Sequence, residues 1–225
     1  MWIDSAQGKE VVFHMEYLDR KVIPILYNHR ENEENDQNSE IEKVVKLAHK
    51  SQAIDSTELP ARLRIGKESV FLKRTELYDS RVAISLPRSL RLISEKEASM
   101  KYPSSHRPEW IYTNDSGTVN FTFNRLEHRI SEEELTSFTE TMANVIRGTQ
   151  PIRQWEKHGV RITETGQFTG YCQFSVQGLN NQIYNHIGFS ILDQSVLVYG
   201  FNCTDEEKRD WLEPGETILN SLAIH

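Results

Sequence analysis

The stretch "LVYGFNCTDEEKRDW", residues 197–211, sets Cys203 beside an asparagine at the point where an alternating apolar run stops. Cys172, in "GYCQF", is the only other thiol in the chain. A cysteine so placed can serve as nucleophile, metal ligand, half of a disulfide, or a small core residue ending a strand. A nucleophilic thiol wants an electropositive, partly exposed place with a base nearby. Cys203 is followed instead by Asp205, Glu206 and Glu207, whose charge raises a thiol pKa; the helix start at Thr204 pushes modestly the other way. Alternation puts Cys172 on one strand face with Phe168, Phe174 and Val176, and Cys203 on another with Leu197, Tyr199 and Phe201. Both are predicted to be core residues. The alternative is an enzyme of unknown class that uses Cys203 with a neighbouring histidine.

The eight histidines form no His-x-His or His-x-x-x-His pair, and neither cysteine belongs to a Cys-x-x-Cys, so no metal centre is expected. His14 and Glu16 share a strand face, but two ligands do not make a site. No G-x-G-x-x-G, Walker loop or G-x-S-x-G elbow occurs, and the glycines, scattered singly, read as turns. Glu132 and Glu134 sit at a helix N-terminus, where the macrodipole already accounts for them. The sequence thus predicts no catalytic residue and no cofactor.

The aromatic residues offer more. Tyr102, Trp110 and Tyr112 surround "PSSHRPEW", a loop flanked by prolines that carries His106 and Arg107. Aromatic and arginine side chains are the usual anchors of protein interfaces, and the competing reading is that Trp110 packs under its own loop. In "IYNHIGF", Tyr184 and His186 point away from the apolar face held by Ile183, Ile187 and Phe189. That second face must be covered by a helix or left as a binding surface. Tyr102, Arg107, Trp110, Tyr112, Tyr184 and His186 are therefore the candidate partner surface.

Composition narrows the class. With 37% hydrophobic and 26% charged residues the 225-residue chain reads as globular, and a formal charge of −7 argues against non-specific nucleic-acid binding. The start, "MWIDSAQGKE", has neither the basic nor the apolar region of a secretory signal, and no apolar run reaches the roughly 18 residues that span a bilayer. Two cysteines suit a reducing compartment. A cytoplasmic protein with an unidentified protein partner is expected; a homodimer is one form it can take.

The elements that must position these residues are legible in part. Residues 10–27 read as two short strands, the second interrupted by Pro24, and 28–39 as an acidic solvated loop. Ser39 and Glu42 form a capping box ahead of a helix face made by Ile41, Val44, Val45 and Ala48. "SVFLKRTELYDSRVAISLP" is strand, turn and strand. Residues 61–91 hold eight Lys or Arg against three acidic residues, which is either a solvated face or a patch that meets an acidic partner. Ser94 and Glu97 cap a short helix before Pro103. "PEWIYTNDSGTVNFTFNRL" is a hairpin turning at Asp115-Ser116-Gly117, with Val119, Phe121 and Phe123 on one face and Asn120, Thr122 and Asn124 on the other. Ser131 and Glu134 open a helix striped by Leu135, Phe138, Met142, Val145 and Ile146, expected to end at a left-handed Gly148. "QFTGYCQFSV", "QIYNHIGFSIL" and "SVLVYGFNC" make a three-strand antiparallel meander. Thr204 and Glu207 open a last helix with Trp211, Leu212, Gly215, Ile218, Leu219 and Leu222 inward, and Pro214 predicts a kink or a late start.

This order of elements over about residues 77–225 resembles the PsbP/Mog-type fold, which includes DcrB-like proteins. The resemblance rests on "VAISLPRSLRLIS" as entry strand and loop, "QIYNHIGFSILDQSVLVYGFNC" as closing hairpin, and a terminal helix carrying "ILNSLAI". It implies an α+β domain, a central antiparallel β-sheet flanked by helices; residues 1–76 lie outside the resemblance and read from their own pattern as a small N-terminal strand-strand-helix module. It also implies a non-catalytic protein-binding factor, an adaptor or chaperone-like protein of the kind found in secretion or toxin systems.

Overall fold

The computed structural model describes residues 62–102, 107–178 and 180–225. The strands expected at 10–27, the acidic loop and the helix behind Ser39 lie outside the described residues, as does His106. Within them, the chain forms two antiparallel sheets and three helices.

Strands β1 (Arg62–Ile65), β2 (Glu68–Leu77), β3 (Val82–Pro87) and β11 (Ala223–Ile224) form a four-stranded sheet in the order β1-β2-β3-β11. The second sheet contains β4 (Arg91–Leu92), β5 (Trp110–Thr113), β6 (Val119–Arg129), β7 (Ile152–Ile162), β8 (Phe168–Gln177), β9 (Gln182–Leu192) and β10 (Ser195–Thr204). Its order is β4-β5-β6-β10-β9-β8-β7. The expected hairpin and meander are β5-β6 and β8-β9-β10. Asp193 and Gln194 turn between β9 and β10 with φ of 51° and 64°, the geometry whose twist matches two adjoining strands.

The helices are α1 (Glu95–Lys101), α2 (Leu135–Thr149) and α3 (Asp205–Asn220). Leu135, Phe138, Met142 and Ile146 of α2 pack with Cys172, Phe174, Ile187 and Phe189 on one face of the large sheet. On its other face Trp211, Ile218 and Leu219 of α3 join Phe121, Tyr184, Phe201 and Cys203, together with Val82, Ile84 and Leu86 of the small sheet. The α+β class is as expected, but the second sheet is an addition to that expectation.

Several boundaries are corrected. The division at 76/77 falls inside a hairpin: β2 pairs with β3 from Leu72↔Pro87 to Leu77↔Val82, so residues 62–76 share a sheet with the C-terminal strand. Strand β7 is absent from the sequence expectation altogether. Gly148 lies within the last turn of α2, which ends at Thr149 with Gln150 extended as its C-cap. The Ser94/Glu97 capping box is complete. At Ser131 the Glu134 carboxylate accepts from the Ser131 amide at 2.8 Å, and the helix begins after it at Leu135. No capping box forms at Thr204: its amide donates to the Thr118 carbonyl at 3.1 Å, Glu207 accepts from the Thr118 hydroxyl at 2.9 Å, and the Thr204 hydroxyl makes no cap bond. The helix starts on time at Asp205 and runs through Pro214, and Leu212 faces outward, 39% exposed.

Candidate protein-binding surface

Among the described residues the large sheet begins at a two-residue strand. Leu92 of β4 stands opposite Tyr112 of β5, and Tyr112 opposite Phe121 of β6; Trp110 stands opposite Phe123 in the next row. Paired residues share a sheet face, so these five side chains lie on one surface. Burial falls along it toward the edge. Phe121 and Phe123 are fully buried, Trp110 and Tyr112 half-buried, and Leu92 is 47% exposed. The Tyr112 ring meets Phe123 edge-on at 6.4 Å, and burial raises its phenol pKa, so it stays protonated at neutral pH.

The edge is fastened from below. The Arg91 guanidinium donates to both Glu97 oxygens at 3.0 and 2.9 Å, while the Ser94 amide and hydroxyl donate to Glu97 Oε2. Those bonds, the one from Arg91 foremost, hold the Glu97 carboxyl down at about 2. Arg107 reaches Glu95 of α1 at 3.5 Å. On the opposite face of β5, Ile111 packs with Ile93, Ala98 and Tyr102.

The candidate residues therefore part company. Trp110 and Tyr112 share one face of β5, half-buried, while Arg107 pairs with Glu95 of α1, which packs on the other face. Tyr102 does not join them; it is 3% exposed beneath α1. Tyr184 and His186 do point away from Ile187 and Phe189, but α3 covers that face, leaving them 3% and 1% exposed. The expectation that they form an outward pair is corrected: Tyr184 packs on Phe201 with Lys208 Nζ 4.9 Å from its ring centre. His186 lies among Gln173, Tyr171 and Arg161.

The thiols are core residues, as alternation predicts. Cys172 and Cys203 are free and wholly buried, on opposite faces of the sheet and separated by β9. Burial pushes each thiol up to about 12, with Glu207 and Asp205 adding to the effect at Cys203. A thiolate is the reactive form, so the Cys203 nucleophile loses its chemical basis.

A polar row escaped sequence reasoning. Thr113, Asn120, Asn202 and Asn185 are in register across β5, β6, β10 and β9. Asn120 donates to Asn202 at 2.8 Å, and its own oxygen accepts from Thr113 at 2.8 Å and from Lys101 at 2.7 Å. Asparagine at 120, 185 and 202 was the available signal, but the pairing of three strands is needed to align them. Beside this row Thr122, Asn124, Ile187, Val198 and Gly200 line a cavity of about 20 Å³. That holds one or two waters rather than a substrate. Among the described residues no group of three or more potential metal ligands comes together, and no helix is long and apolar enough to cross a membrane.

No family model matches the chain, and no curated protein matches it. Solved structures do. CyanoP, the cyanobacterial PsbP of Synechocystis sp. PCC 6803, aligns with 78% of this chain and 99% of its own at a TM-score of 0.51 and 11% identity. The Saccharomyces cerevisiae Ran-binding protein Mog1p covers 69% of this chain and 96% of its own at 0.45 and 12% identity. LpqN of Mycobacterium tuberculosis, described as involved in cell envelope biogenesis, covers 71% and 94% at 0.47 and 14% identity. The chain has a PsbP/Mog-like fold. At these identities the likeness is one of architecture.

Proposed function

We propose that this protein is a non-catalytic protein-binding factor, adaptor or chaperone-like, and that it engages its partner through the β4-β5 edge. The observation that carries this reading is the half-open apolar patch of Leu92, Tyr112 and Trp110, which shares its sheet face with fully buried Phe121 and Phe123. Rings of this kind bury large area on association while their polar tips tolerate water in the free state, and rigid neighbours lower the ordering cost of binding. The cytoplasm is the proposed location, and membership of a secretion or toxin system is the extension that the identity of the partner would decide.

A photo-crosslinking residue placed at Leu92 tests the surface in cells. It should capture a discrete protein that the same residue placed at Lys96 does not, and Trp110→Ala should abolish capture while leaving the melting temperature nearly unchanged. Capture of a second copy would make the edge a homodimer interface. Capture that survives Trp110→Ala would remove the row as the binding surface.

A further inference from the structure

In a protein of formal charge −7, the outer face of the small sheet is basic. Arg62 stands opposite Phe71 and Arg64 opposite Ser69 across β1 and β2, so these four side chains share one face. Leu63, Val70 and Ile65 face the other way, into the core. Phe71 is 45% exposed. The Arg62 guanidinium sits over its ring at 4.1 Å, and Arg88, whose amide donates to the Phe71 carbonyl at 2.8 Å, brings a second guanidinium to 5.8 Å. Among the described residues none of Arg62, Arg64 and Arg88 forms an ion pair with a carboxylate.

We infer that this face binds an extended acidic peptide segment of a partner protein, with carboxylates at alternate positions. A guanidinium has five donors and accepts a carboxylate with two parallel bonds. Holding it against a ring beforehand reduces the rotamer freedom lost on binding. Arg62 and Arg64 are two residues apart on a strand, about 7 Å along its axis, which is the spacing of residues i and i+2 in an extended peptide. Strand β1 is the end strand of its sheet among the described residues, and an extended segment along it would carry its alternate carboxylates on the face of Arg62 and Arg64, whose arrangement the Phe71 ring holds. A nucleic acid fits less well. A base stacking on Phe71 must first displace Arg62.

The test uses the full chain and three labelled probes: a peptide of alternating glutamate and valine, its isomer with the glutamates grouped at one end, and a thymidine oligonucleotide of equal charge. Fluorescence anisotropy at low ionic strength should show the alternating peptide binding most tightly. Arg62→Glu combined with Arg88→Glu should weaken that binding by about tenfold or more, with the circular-dichroism spectrum retained. Phe71→Ala should weaken it separately, and Trp110→Ala should not, so that this face and the aromatic edge succeed or fail independently. Should Phe71→Ala not fold, the arginine reversals carry the test alone. The inference is overturned if the oligonucleotide or the grouped isomer binds as well as the alternating peptide. Equal binding by the charge-reversed variant, or no detectable peptide binding, overturns it too.

Discussion

The guanidinium of Arg161 lies 3.4 Å from Nε2 of His186 while donating to Glu216 at 2.8 Å. A guanidinium can only donate, so an imidazolium, which donates from both ring nitrogens, is disfavoured beside it. The Gln173 amide nitrogen, also a donor, lies 3.1 Å from Nδ1, so donor groups face both ring nitrogens and neither side favours a charged ring. Burial disfavours the charged ring and Arg161 repels it, so the His186 pKa falls well below its ordinary value. Burial also opposes ionisation of Glu216, but the bond from Arg161 and the neighbouring positive charge outweigh it and lower that carboxyl's pKa.

Both shifts act in the same direction on stability. In the unfolded chain His186 takes up a proton near pH 6.5, and in the folded one it does not. Its contribution is present above that value and is lost as pH falls below it; Glu216 adds a loss at lower pH. His186→Gln should therefore be less stable at neutral pH yet show a shallower fall in melting temperature between about pH 7 and 5. Parallel melting curves for the two proteins across that range would refute the neutral assignment.

With both thiols pushed up to about 12 and fully buried, the native protein should resist iodoacetamide at mildly alkaline pH and react fully in denaturant. Cys203→Ala should lower stability by about 1 kcal/mol, as small core truncations do, and leave partner capture intact. Rapid native alkylation at either position would contradict the burial.

Gly215 lies in the interior of α3, where alanine would ordinarily be favoured by about 1 kcal/mol. Here a methyl group would come within 2.5–2.7 Å of three Phe201 ring carbons. Overpacking of that kind costs about 1–3 kcal/mol, and Phe201 is fixed between Phe121 and Trp211. Gly215→Ala should therefore come out destabilising in urea unfolding, and a stabilised variant would mean that α3 packs less closely on β10.

A fragment of residues 62–225 should unfold cooperatively, whereas one of residues 77–225 should not. Removing β1 and β2 strips the pairing from β3 and uncovers Val82, Ile84 and Leu86, which the small sheet buries against α3. Equal thermal transitions for the two fragments would restore the boundary at residue 77.

Much of the fold was written in local pattern. Val119, Phe121 and Phe123, or Leu197, Tyr199 and Phe201, alternate because each strand has inner positions that a period of two can report. Strand β7 defeats that test. Its apolar residues Ile152, Trp155, Val160 and Ile162 fall at uneven spacing, since the register shifts twice between Ile152 and Lys157 and the strand is the last of its sheet among the described residues. The candidate surface was legible where exposure depends on a nearby edge, at Trp110 and Tyr112. It was illegible at Tyr184 and His186, because alternation tells which face a side chain takes and not which helix arrives to cover it. The α3 cap failed for a similar reason: Thr204 and Glu207 match the local motif, but Thr118, far away in sequence, competes for the carboxylate.

The placement of Cys172 and Cys203 on opposite faces makes the two thiols separate clocks. Each is shielded by a different layer, Cys172 by α2 and Cys203 by α3 with the small sheet. Pulsed labelling during slow opening therefore resolves which layer detaches first, since local openings in one protein differ widely in free energy. If the layers separate as independent units, the two sites acquire label at different rates; if the molecule opens all at once, they acquire it together.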